Sequence, residues 1–154
     1  MKIEWHAGIL PCIASLKTHA IPFMGHIGLT PQTAAELGGF KVQGKTPERA
    51  AQIVAHALAF EKAGAFAIVI ECVPEELGKE ITVALSHAFT IGIGAGRHTD
   101  AQVLVAYDML GLFDKYRPKF VKQYADIATP VCDAFVRFKQ EVAAGTFPGQ
   151  EHVF

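Results

Sequence analysis

The stretch Phe66-Ala-Ile-Val-Ile-Glu-Cys72 is a continuous apolar run that ends in a single carboxylate. Strands covered by helices on both faces have this composition, as in parallel sheets. A helical pattern opened by Pro74 follows, and a second apolar run, Phe89-Thr-Ile-Gly-Ile-Gly94, comes after it. The two runs predict neighbouring buried strands joined by a helix.

The same alternation of strand and helix continues on both sides of this unit. Turn and capping signals mark the boundaries, such as Thr46-Pro47 before a helix and Gly64 after it. This order is typical of a parallel sheet with helices outside it. The remaining predicted elements are a strand ending at residues 2–4, a helix from about residue 9, a strand over 21–28, a short helix opened by Thr30-Pro31 and ended by Gly38-Gly39, a helix over 46–64, a strand over 103–106 and a last helix over 129–144.

Length and composition bound the class of protein. The chain has 154 residues, the size of one domain, and 51% of them are hydrophobic, which is ample for a core. A net charge of −1 argues against a nucleic-acid binder, and no apolar run reaches the ~18–20 residues of a membrane span. The isolated cysteines Cys12, Cys72 and Cys132 lack zinc-ligand spacing and predict reduced, buried thiols in a cytoplasmic protein.

We therefore expect residues 1–154 to form a single α/β domain with a parallel sheet. A closed eight-stranded barrel typically needs ~250 residues. On pattern alone, an open doubly wound sheet fits the length better than a barrel.

Three polar residues outside the apolar runs are candidates for a site. Lys2 and Glu4 are two residues apart, so both side chains point to the same face of a strand. A cation beside a carboxylate can hold an oxyanion together with a metal ion or water, and the alternative is a disordered charge pair. His26 lies between glycines where a strand gives way to a loop. Its imidazole could donate to a substrate carbonyl or carboxylate, or it could be structural.

Glu71 is the strongest single candidate for catalysis. Its carboxylate follows the apolar run 66–70, and burying an unpaired charge is costly. Barrel enzymes and open-sheet enzymes both place their chemistry at the carboxyl ends of strands. We therefore expect Glu71 to be a general base, with a structural salt bridge as the alternative.

The glycine-rich stretch Ile91-Gly-Ile-Gly-Ala-Gly96 fails the dinucleotide fingerprint, because Arg97 stands where the last glycine is required. Glycines at a strand end instead allow a ligand or another backbone segment to come close. No serine lies in the G-x-S-x-G turn of a nucleophilic hydrolase.

Several segments, taken in order, resemble the ketopantoate hydroxymethyltransferase family over essentially the whole chain. Each segment alone is a weak signal, but the combination is specific. The segments are Lys2-Ile-Glu4, Gly25-His-Ile-Gly-Leu-Thr-Pro-Gln32, Gly38-Gly-Phe-Lys-Val-Gln-Gly44, Ile70-Glu-Cys-Val-Pro74, Ile91-Gly-Ile-Gly-Ala-Gly96, Pro118-Lys-Phe120 and Phe147-Pro-Gly-Gln-Glu-His152.

The resemblance implies a (β/α)8 TIM barrel of the phosphoenolpyruvate/pyruvate superfamily and a homo-oligomeric enzyme. It implies hydroxymethyl transfer from 5,10-methylenetetrahydrofolate to 3-methyl-2-oxobutanoate, giving 2-dehydropantoate in pantothenate biosynthesis, with Mg2+ holding the keto acid. Carried over by motif, Lys2 would bind the keto acid and Glu4 would belong to the metal site. His26 would bond a substrate or product oxygen, and Glu71 would be the base at C3.

The sequence departs from the family pattern in two ways. The early strands, with two metal-binding aspartates and a serine, have no counterpart, so we expect the C-terminal portion of a barrel, incomplete and beginning at the fourth strand. Trp5-His6 and Ala101 stand where glycines are usual. The chain alone is therefore expected to be incomplete for catalysis. The alternatives are a non-catalytic remnant or oligomeric binding module of the same fold, or an aldolase acting on another keto acid.

Overall fold

The computed structural model describes residues 1–113 and 115–154. The chain divides into two compact units, Met1–Val103 and Leu104–Phe154. The expected single domain over residues 1–154 stays a prediction.

The first unit is built on a five-stranded parallel sheet whose strand order follows the chain. The predicted α/β class and parallel pairing are confirmed. The (β/α)8 barrel class, with the barrel incomplete in this chain, stays a prediction. The strands are β1 (Lys2–Glu4), β2 (Met24–Gly28), β3 (Ala67–Glu71), β4 (Phe89–Ile93) and β5 (Ala101–Gln102), and the helices are α1 (Ile9–Thr18), α2 (Pro47–Lys62) and α3 (Glu75–Ala84).

The hydrophobic core lies between one face of this sheet and the three helices. Because side chains alternate along a strand, Ile68 and Ile70 of β3 share one face, and Ile27 of β2 joins them in the same buried cluster. Full burial of an isoleucine side chain stabilises the fold by ~1.5–3 kcal/mol. The side chains that alternate with these core residues point to the opposite face of the sheet. The fully buried residues that the helices contribute are Ile13, Phe60 and Ile81.

The predicted strand over residues 103–106 is wrong, because the pairing of β5 is set earlier in the chain. The Asp100 carboxylate accepts hydrogen bonds from the Thr90 amide (2.8 Å) and hydroxyl (2.7 Å). These bonds fix the start of β5 beside β4. The apolar residues that follow β5 lead into a short helix, α4 (Ala106–Met109).

The second unit contains α4 and a longer helix, α5 (Ala128–Ala144), which matches the predicted last helix. The helix ends at Gly145, whose φ of 68° lets its amide bond to the carbonyls of Glu141 and Val142. Among the described residues, no helix is long and apolar enough to cross a membrane.

The cysteines differ from the expectation of three buried thiols. Cys12 and Cys132 are free and exposed, so the prediction of burial is wrong for both. Cys12 lies on the exposed side of α1, and Cys132 lies on α5, whose residues are all at least partly exposed. Cys72 is free and half-buried.

A single carboxylate near the end of α2 holds the segment that leads into β4. Glu61 Oε1 accepts hydrogen bonds from three consecutive amides, those of Ser86 (2.9 Å), His87 (2.7 Å) and Ala88 (2.9 Å). The hydrogen bond from the Ala88 amide contributes most to keeping the pKa of Glu61 below its ordinary value of 4.5, and the bonds from the other two amides contribute less. The charged carboxylate therefore contributes to the stability of the fold.

We predict that Glu61→Gln lowers the free energy of unfolding by about 1 kcal/mol at neutral pH, because a neutral oxygen accepts more weakly and the site is solvent-screened. The folded-state pKa is lowered, so the contribution is present above the ordinary pKa and disappears as the pH falls through the folded value. Urea unfolding at neutral and acidic pH measures the difference. The exposed Glu80→Gln is the control, and an undiminished Glu61→Gln effect in acid would contradict the prediction.

Candidate active site

Four polar side chains from three neighbouring strands meet on the face of the sheet opposite the helices. In the parallel register, Glu4 of β1 pairs with His26 of β2. Gly28 of β2 pairs with Glu71 of β3. Lys2 lies two residues before Glu4 and shares its face. Strand pairing therefore brings together the four residues that the sequence singled out.

His26 is the centre of this cluster. Its side chain is fully buried, and both ring nitrogens have partners. Nδ1 lies 3.0 Å from Lys2 Nζ, and Nε2 lies 2.9 Å from Glu71 Oε2. An ammonium group only donates, so Nδ1 accepts from Lys2 and Nε2 donates to the Glu71 carboxylate. A continuous hydrogen-bond chain thus runs from Lys2 through His26 to Glu71.

Glu4 borders the same imidazole and is the candidate metal ligand. Its Oε1 is 3.5 Å from His26 Nδ1, and its Oε2 accepts a hydrogen bond from the Gln32 amide (3.1 Å). Mg2+ is usually bound by one or two carboxylates together with water or substrate oxygens. Within the described residues, no group of three or more His, Cys, Asp or Glu could hold a metal ion. Glu4 therefore fits as one oxygen ligand of Mg2+ but does not form a metal site by itself.

The backbone at Glu71 is held from both neighbouring strands. The Leu29 amide donates to the Glu71 carbonyl (2.9 Å), and the Cys72 amide donates to the Ile93 carbonyl (2.9 Å). Gly28 makes this approach possible, because a Cβ at position 28 would meet the Glu71 carbonyl oxygen. Main-chain contacts therefore fix the place from which the Glu71 side chain extends.

Sequence reasoning did not predict the conformation of Cys72. Its φ is 50°, in the left-handed region that residues with a Cβ rarely adopt. Burial, and then the neighbouring Glu71 carboxylate, raise the pKa of the Cys72 thiol. The thiol is therefore protonated near neutral pH. Pro74, two residues later, was the one signal of a turn at this point.

Other protein segments come close to the glycine-rich end of β4. A Cβ on Gly96 would meet the Glu75 side chain, and a Cβ on Gly78 of α3 would meet the Ala95 carbonyl. Arg97 Nε donates to Glu75 Oε1 (2.8 Å), and this bond lowers the pKa of Glu75. The expected close approach of other protein segments to these glycines is therefore confirmed, and the approach of a ligand stays a prediction.

A cavity of about 210 Å3 lies next to the ends of β1 and β2. Trp5, Arg49 and His56 are among the residues that line it. The Trp5 ring stacks on the His56 ring at 4.2 Å between centroids. Burial, and then the Arg49 guanidinium, lower the pKa of His56. Trp5 therefore packs against α2, a contact that the sequence did not reveal.

Comparison with known proteins points to one family. A sequence model of ketopantoate hydroxymethyltransferase matches residues 1–150. All 154 residues align with the 3-methyl-2-oxobutanoate hydroxymethyltransferases of Heliobacterium modesticaldum, Moorella thermoacetica and Thermus thermophilus, at 54%, 50% and 48% identity. The chain spans 55%, 57% and 59% of the length of these relatives.

We predict that Gly28→Ala destabilises the fold by roughly 2–4 kcal/mol, because the left-handed penalty adds to overpacking against the Glu71 carbonyl. Gly39→Ala is the matched control, since its φ is +96° but no described atom lies within 4 Å of the added Cβ. It should lose only about 1–2 kcal/mol. Denaturant unfolding of the three proteins measures both losses. Equal losses at positions 28 and 39 would show that the close approach is not a constraint.

We also predict no micromolar affinity for Mg2+ from this chain alone, because Glu4 offers a single carboxylate. Isothermal titration calorimetry without keto acid should give the same small heats for the parent and for Glu4→Gln. Micromolar binding that disappears in Glu4→Gln would show that the described residues are sufficient for a metal site.

Proposed function

Because the chain belongs to the ketopantoate hydroxymethyltransferase family, we propose that it carries part of an active site that transfers a hydroxymethyl group from 5,10-methylenetetrahydrofolate to 3-methyl-2-oxobutanoate. The product would be 2-dehydropantoate, a step of pantothenate biosynthesis. The observation that supports this most directly is the hydrogen-bond chain from Lys2 through His26 to Glu71.

Glu71 is proposed as the general base that removes the hydrogen at C3 of the keto acid. Deprotonation beside a carbonyl needs a positioned base, and it needs stabilisation of the negative charge that moves to the keto oxygen. Glu71 is partly exposed at the carboxyl end of β3, where a substrate can reach it. Its Oε2 is held by His26, which leaves Oε1 to accept the proton.

Lys2 and His26 are proposed to bind the keto acid. The Lys2 ammonium supplies a positive charge for a carboxylate or an enolate oxygen. Both nitrogens of His26 already have partners, so a bond from His26 to a substrate or product oxygen would replace one of them. Such an exchange would couple substrate binding to the position of Glu71.

Mg2+ is the proposed metal, and Glu4 is the ligand that this chain would supply. When bound, Mg2+ polarises a carbonyl oxygen and stabilises the enolate charge. The remaining oxygen ligands would come from the keto acid, from water and from the part of the family's length that this chain does not match.

We propose that the complete activity needs this chain together with the part of the relatives' length that it does not match. A second copy of the chain is the proposed protein partner, because β1 and β5 lie at the two edges of the described sheet and edge strands favour association. The proposed setting is the cytoplasm, with the keto acid and the folate as small-molecule partners and no nucleic acid.

Deuterium exchange at C3 of 3-methyl-2-oxobutanoate, followed by NMR in D2O with Mg2+, tests the proposal without requiring folate. The chain is assayed alone and with the unmatched part of the Thermus thermophilus relative supplied in trans or as a fusion. We predict exchange in the complemented protein and little with the chain alone. Glu71→Gln should lower the exchange rate by ~10²–10⁴-fold, the usual contribution of a general base.

The exposed Glu76→Gln on α3 is the matched control and should exchange at the parent rate. If Glu71→Gln also exchanges at the parent rate, the base lies elsewhere. If the complemented protein exchanges the hydrogen but never forms 2-dehydropantoate from the folate, an aldolase of the same superfamily is the better assignment.

A further inference from the structure

The alternation of side chains along β3 breaks immediately after Glu71. In an extended strand, residues two apart share a face, so Val73 is expected on the face of Glu71. Val73 is instead buried in the helix-side core with Ile27 and Ile70. The break falls at Cys72, whose φ of 50° is left-handed.

Three hydrogen bonds hold this conformation. The Cys72 amide donates to the Ile93 carbonyl (2.9 Å), and the Cys72 carbonyl accepts from the Gln43 amide (2.8 Å). The Val73 amide donates to the Gly94 carbonyl (3.2 Å). A left-handed residue with a Cβ is disfavoured and persists where its surroundings determine it, most often at functional sites. Cys72 is therefore clamped to the end of β4 and to the segment that follows β2.

We propose that Cys72 is a positioning residue for Glu71, acting through its left-handed backbone. This turn sends Val73 into the core while Glu71 remains on the face of His26. With an extended Cys72, Val73 would project from the same face as Glu71, next to the carboxylate. The inference rests on the proposed role of Glu71 as base.

The thiol is not the feature that matters. Burial and the adjacent carboxylate raise the pKa of Cys72, which keeps the sulfur protonated and a poor nucleophile. A backbone role predicts that the side chain is replaceable by any residue that tolerates the left-handed region. It also predicts that a β-branched residue is not tolerated.

The test compares Cys72→Ala, Cys72→Gly and Cys72→Val in the exchange assay. Alanine and glycine should keep a rate close to that of the parent. Valine should lower the rate by about tenfold to a hundredfold, as expected for a misplaced catalytic group, without a matching rise in the KM for the keto acid. The matched control is Ala20→Val, because exposed Ala20 at the end of α1 has nearly the same left-handed φ of 54°. Ala20→Val should exchange at the parent rate.

A second readout does not depend on activity. The 15N and 1H signals of the His26 ring report its bond to Glu71 Oε2. These signals should shift in Cys72→Val and stay in place in Cys72→Ala and Ala20→Val. If Cys72→Val does not fold, Gln43→Pro removes one of the three clamps and should give the same shift.

Three results would overturn the proposal. One is an equal loss of exchange in Cys72→Ala and Cys72→Val, which would make the thiol itself essential. Another is an unchanged His26 ring in Cys72→Val. The third is an equal effect of Ala20→Val, which would indicate general destabilisation. If the parent shows no exchange at all, the proposed function fails, while the His26 signals still decide whether Cys72 positions Glu71.

Discussion

The bond between the buried His26 ring and the Glu71 carboxylate constrains the structure around it. An imidazole without solvent needs a partner for each nitrogen, because an unpaired buried polar group is costly. Lys2 and Glu71 supply these partners from the strands on either side of β2. Within the described residues, every buried side-chain nitrogen or oxygen has a hydrogen-bond partner. Three strands must therefore be correctly aligned before the site exists.

The apolar face of the same sheet supplies that alignment. A slip of one residue in β2 would place Ile27 where His26 now lies and would turn the imidazole toward the helices. The burial of Ile27 beside Ile68 and Ile70 opposes such a slip. Core packing on one face thus determines which polar side chains meet on the other. The site and the core are two consequences of one strand register.

The sequence predicted the candidate residues more reliably than their arrangement. Lys2, Glu4 and Glu71 were found because strand alternation and strand ends are local patterns. Their common contact with His26 depends on pairing between strands, which no local pattern specifies. Residues 103–106 were mispredicted because an apolar run resembles a strand, whereas the Asp100 carboxylate decides where pairing begins. The turn at Cys72 was missed for a similar reason, since distant backbone groups hold it.

The strand order of the sheet has a consequence for how the protein can be divided. In the part of the chain that the structure describes, each strand pairs only with the strands that directly precede and follow it, so no strand is inserted between two others. The chain segment that joins two neighbouring strands could therefore be cut, and strand pairing could hold the two parts together without a covalent link. Such a cut divides the polypeptide into two consecutive parts, each of which keeps its own helices. The two strands that flank the cut are the edges through which the parts can pair. The architecture is therefore compatible with assembly from separately synthesised pieces, in which shared strand edges restore the continuity that a single chain otherwise provides.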